Sequence, residues 1–141
     1  MIRNPLSVLL SWQSITAPVR KGQLPFAEAY DSALADRLRN EGDRIERQII
    51  ILDWYFQQYA SLLQPRQIIT YESIIESKGA VLAVVDPQAC GLNEELSSRN
   101  RNHLYDQSLI QPLAERLLAR RDHHFRNFYC DSDLDDLLAD L

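Results

Sequence analysis

Excess positive charge is what this chain lacks most plainly: 15 lysines and arginines stand against 20 aspartates and glutamates, a formal net charge of −5 over 141 residues. Such a balance disfavours a general nucleic-acid binder or a protein drawn to anionic membranes, so any anion site must be local. Long hydrophobic runs are missing too. None approaches the roughly 20 residues of a membrane-spanning helix, and no charged-then-apolar leader precedes a cleavage site. The expectation is a soluble, cytoplasmic chain with no nucleic-acid or membrane partner. Cysteine is nearly absent: Cys90 and Cys130 have no second Cys near either, which excludes a CxxC redox pair and a zinc knuckle. Two free thiols and no metal are expected.

What is present is one domain's worth of chain, able to bury a core but short for a complete α/β enzyme. Its first residues concentrate the chemistry. Asn4 is a good N-cap and Pro5 suits the first helical position, so a helix should begin there. Leu6, Leu9 and Leu10 then share a face, with Val8 and Trp12 beside it. Ser11 follows Asn4 by about two helical turns and returns to nearly the same azimuth. Arg3, the helix N-terminus and Ser11 can therefore line one edge of a pocket. A guanidinium, free backbone N–H groups and a hydroxyl together suit phosphate. The bland alternative is a strand-to-helix turn with an exposed Arg and a back-bonded Ser.

Residues 13 to 25 carry two prolines and a glycine without apolar periodicity, which marks a loop. Its Arg20 and Lys21 are either a lure for an acidic acceptor or a plain solvated pair. Phe26, Tyr30, Leu34 and Leu38 recur every fourth position and predict a helix. After Gly42 a longer helix is expected from about Asp43, striped by Ile45, Ile49, Leu52, Phe56, Tyr59 and Leu63 and ended by Pro65. It reads as the packing spine. Gln67 to Tyr71 is a short β-branched run that suits a buried parallel strand. Glu72 beyond it is either a polar site residue or a partner for nearby backbone and Arg groups. Helical segments broken by Gly79 should follow, then turns, then a helix from Leu109 to Tyr129. His123 and His124 would point about 100° apart on that helix, which argues against a shared ion. Asp131 to Asp136 lacks the glycine and the closing glutamate of a calcium loop and should cap a final helix, Leu134 to Leu141.

Arg3-Asn-Pro, five residues, Ser11-Trp resembles the 3′-phosphate-binding segment of sulfotransferases that use 3′-phosphoadenylyl sulfate (PAPS). The run Arg66-Gln-Ile-Ile-Thr-Tyr-Glu-Ser-Ile-Ile75 resembles that family's strand and Arg-Tyr-Glu-Asp-Leu motif, with Thr70 and Ser73 in place of Arg and Asp. Arg99-Asn-Arg-Asn-His-Leu-Tyr-Asp106 is similar to a charged segment near the C-terminus of bacterial members. The resemblance implies a single domain over residues 1 to 141, the C-terminal portion of a three-layer α/β/α, P-loop-like fold, mostly helical with about two short parallel strands. It implies Arg3 and Ser11 on the 3′-phosphate of PAPS, Arg99 or Arg101 closing over the nucleotide phosphates, and a small-molecule or carbohydrate acceptor. No catalytic residue is assigned. The family's phosphosulfate loop and base lie upstream of its Arg-Asn-Pro segment and have no counterpart in residues 1 to 141, so the chain is expected to be inactive alone. The alternative is a non-catalytic helical interaction module derived from the same family. Nothing in the residues sets the oligomeric state.

Overall fold

A computed structural model describes residues 1–100, 102 and 104–141. Helix starts follow local chemistry. Helix α1, Pro5–Ser14, opens as expected, with the Asn4 side-chain oxygen accepting the Leu6 N–H at 3.0 Å. The helix expected from Phe26 is two helices, α2 (Pro25–Tyr30) and α3 (Ser32–Asn40). Asp31 divides them: one carboxylate oxygen caps Leu34 N–H at 3.0 Å and the other accepts the Trp54 indole N–H at 2.9 Å. Helix α4, Arg44–Leu62, is capped by Asp43, which accepts the Ile45 N–H at 2.7 Å. Helix α5 is Tyr71–Glu76, followed by Gly79 at φ 94° and two 3₁₀ turns, Ala80–Val84 and Pro87–Gly91. Helix α6, Gln107–Leu118, ends well short of the predicted Tyr129, and His124–Asn127 is a separate 3₁₀ turn before α7, Asp131–Asp140.

Helix α4 is the spine. One face gives Ile49, Leu52 and Phe56 to the main core, where they meet Leu6, Leu9 and Leu10 of α1, Leu113 and Leu117 of α6, Phe125, and Leu134 and Leu137 of α7. Ile51 on the opposite face packs with Ala27, Leu34, Ala35 and Leu38 of α2 and α3. Two covered faces explain why its apolar surface is wider than one stripe.

The three-layer α/β/α expectation is corrected here: the fold is all-helical, with no strand or sheet among the described residues. The segment expected as a parallel strand, Gln67 to Tyr71, meets the start of the chain in one parallel bridge, Ile2 with Thr70. Ile2 N–H donates to the Ile69 carbonyl at 2.9 Å, and Tyr71 N–H donates to the Ile2 carbonyl at 2.7 Å. The ladder stops there for local reasons. A 3₁₀ turn, Pro65–Gln67, precedes one segment, and Thr70 at its end already caps α5; Asn4 and Pro5 turn the other into α1. β-Branched side chains favour extended backbone, but a ladder also needs length and neighbours. Among the described residues, no helix is long and apolar enough to cross a membrane.

Candidate functional site

The bridge and the α1 cap deliver Arg3 to a polar junction. Its Nε–H donates to Asn100 Oδ1 at 2.6 Å, and Nη2 donates to the Arg99 carbonyl at 2.6 Å and to the Tyr105 hydroxyl at 3.2 Å. Its guanidinium carbon sits 5.0 Å from the centre of the Tyr71 ring. Every one of these partners is neutral, so the fork is held in place without a carboxylate cancelling its charge.

Below Arg3 lies a second layer. Glu72 Oε1 accepts the Asn4 backbone N–H at 3.0 Å and the Asn100 side-chain N–H at 2.8 Å, while Oε2 accepts the Tyr129 hydroxyl at 2.8 Å. Of the two sequence-based roles for Glu72, partnering a nearby backbone group is the one this geometry displays. Burial, then the Glu72 charge, pushes the Tyr129 hydroxyl far above its ordinary value, so it remains a proton donor. Ser7, fully buried on α1, donates to Asn100 Oδ1 at 2.9 Å and lies 3.1 Å from the Tyr105 hydroxyl.

The expected ligands are distributed unevenly. Arg3 is at the junction; Ser11 donates its hydroxyl to the Val8 carbonyl at 2.8 Å, and none of Arg3's hydrogen bonds reaches it. Arg99 joins through its backbone, its carbonyl accepting from Arg3 and its N–H donating to the Tyr71 hydroxyl at 2.7 Å. Arg101 lies outside the described residues. Sequence reasoning missed Ser7, Asn100 and Tyr105. The one available signal was the serine stripe of α1, Ser7, Ser11 and Ser14 at i, i+4 and i+7, which sets a polar edge beside the leucine face.

Two clefts flank the junction. One, of about 420 Å³, is lined by Glu72, Glu76, Asp133, Asp136 and Asp140 and repels anions. The other, of about 350 Å³, has Arg3 at its rim and Val8, Trp12, Tyr55 and Tyr59 along its walls. No family model, curated protein or solved structure matches this chain. A cleft walled by Trp12, Tyr55, Phe56 and Tyr59, with Arg3 as the one charged side chain of its lining, suits a planar ring bearing a phosphate.

A further cluster lies where α4 meets the turn after α6. Asp53 accepts the His124 backbone N–H at 2.7 Å, with the His124 ring nitrogen at 3.2 Å and that of His123 at 3.6 Å. Both imidazoles face one carboxylate because the chain has left the helix by then. Among the described residues, no group of three or more His, Cys, Asp or Glu forms a metal-holding cluster.

Proposed function

We propose that this chain holds the adenosine 3′-phosphate end of PAPS in the aromatic cleft beside Arg3, as the nucleotide-gripping part of a sulfotransferase that does not complete transfer alone. The observation that carries the reading is Arg3 itself, a cation fixed by neutral acceptors at the rim of the cleft walled by Trp12, Tyr55 and Tyr59. Bound PAPS supplies the sulfuryl group that passes to a hydroxyl or amine of a small-molecule or carbohydrate acceptor. Arg3 contributes charge and orientation at the far phosphate, Tyr55 and Tyr59 offer ring faces to the base, and Asn100 and Tyr105 keep the guanidinium aimed. For Ser11 to take part, its hydroxyl must leave the Val8 carbonyl.

A non-catalytic helical interaction module is the second reading, favoured by the donors of Arg3 already spent on Asn100, Arg99 and Tyr105. Titration calorimetry with adenosine 3′,5′-bisphosphate separates the two. The expected result is weak saturable binding, abolished in Arg3→Ala and reduced in Arg3→Lys, which keeps the charge and loses the fork. Circular dichroism checks that both variants stay folded. Tight binding indifferent to Arg3→Ala removes Arg3 from the site; no binding by the wild type leaves the helical module.

A further inference from the structure

The loop between α1 and α2 is built more firmly than a connector needs. Its 3₁₀ turn, Pro18–Lys21, is fastened to α4 by Gln48, a fully buried side chain whose amide N–H donates to the Val19 carbonyl at 2.9 Å and to the Arg20 carbonyl at 3.1 Å. Gln48 Oε1 accepts in turn from Gln13 Nε2 at 2.8 Å. Gly22 closes the turn at φ 65°, packed so tightly that a Cβ there would lie 2.7 Å from the Arg47 Cβ.

This scaffold presents cations without counter-ions. Arg20, Lys21 and Arg44 line a cleft of about 650 Å³ together with Thr16 and Gln23, and no carboxylate lines it. None of the three cations forms an ion pair with a described residue, whereas Arg39, Lys78, Arg116, Arg120, Arg121 and Arg126 all do. Arg44 is also pre-aimed. Its Nη1 donates to Gln13 Oε1 at 2.7 Å and to the Arg20 carbonyl at 3.0 Å, both neutral acceptors, which orient the fork and leave its charge uncancelled. In a chain of net charge −5, three adjacent uncompensated cations on a pinned turn are a local reversal of sign.

We propose that the cleft between the Pro18–Lys21 turn and the start of α4 binds a compact ligand carrying two or more clustered phosphate or sulfate groups, held by Arg20, Lys21 and Arg44. Clustering follows from the three cations converging on one cavity larger than a single tetrahedral oxyanion fills. Thr16 and Gln23 supply neutral donors at its edge. The site stands apart from Arg3 and does not depend on the reading given for that residue.

The test is calorimetric titration of the full chain with tripolyphosphate in one arm and a fully sulfated disaccharide in the other. Arg20→Ala/Lys21→Ala is the principal variant, since neither side chain holds the turn. Saturable binding is expected in at least one arm, the arm naming the source of the oxyanions. The double variant should weaken it by roughly tenfold or more, as loss of charged hydrogen bonds implies. Binding that is equal in the wild type and the folded double variant, or absent from both arms at low salt, overturns the proposal.

Discussion

At Asp53 a single carboxylate serves two imidazoles, and the surroundings of His123 set a pH response. Burial, ahead of any charge, lowers the His123 pKa below its ordinary 6.5, with Arg120 and His124 adding to the fall and Asp53 and Glu46 opposing it. Folded His123 thus stays neutral at a pH where the unfolded chain has begun to take up a proton. The stability this contributes is complete above pH 6.5 and is lost as pH falls from there through the depressed folded value. Urea midpoints measured between about pH 8 and pH 5 should fall on the acid side, and His123→Gln should flatten that fall; an unchanged slope in the variant would assign the loss to other groups. The cluster was unreadable beforehand because it depends on where the chain leaves α6. Asn4 and Pro5, by contrast, announce α1 from neighbours two residues away, which is why that start was legible and the Asn100 and Ser7 partnerships, set by distant packing, were not.

Helix α4 was legible as a spine because its period is written in consecutive residues. Phe56 lies in its C-terminal half, 2% exposed, with ring contacts to Tyr59, Phe125, Phe128 and Tyr129. Phe56→Ala should cost on the order of 3–5 kcal/mol in chemical denaturation, the range for emptying a large buried ring; a loss under about 0.5 kcal/mol would mark the site as surface. The segment from Gln67 to Tyr71 was misread for the complementary reason. Ile68 and Ile69 advertise extended backbone, yet strand status is a property of partners, and Thr70 is already committed to capping α5. Asp31 misled in another way: an i+4 apolar pattern ran straight through a residue whose side chain caps a new helix.

For the whole molecule, the proposed role divides gripping from chemistry. Arg3 would hold the far end of the nucleotide equally in ground and transition states, and such uniform binding leaves the chemical barrier where it was. A general base contributes roughly 10²- to 10⁴-fold and charge-stabilising donors a similar factor, and the described residues that line the cleft include no carboxylate or imidazole. The isolated chain should therefore give no transfer from labelled PAPS to a broad acceptor panel, alone or at raised concentration; measurable turnover would reveal a base and a sulfate-holding loop within these residues. The same junction constrains how the chain is made. Arg3 reaches Asn100 across 97 positions and Asn4 donates to the Asp133 carbonyl across 129, at 2.9 Å. Residues 2–4 leave the ribosome long before those partners exist, so during synthesis α1 waits with its cap half-engaged while α4 and its neighbours assemble. The corner with the most chemistry is the last to be finished, and a stalled or clipped product lacking α7 would keep the Arg3 partners and leave the Asn4 side-chain amide without the Asp133 carbonyl.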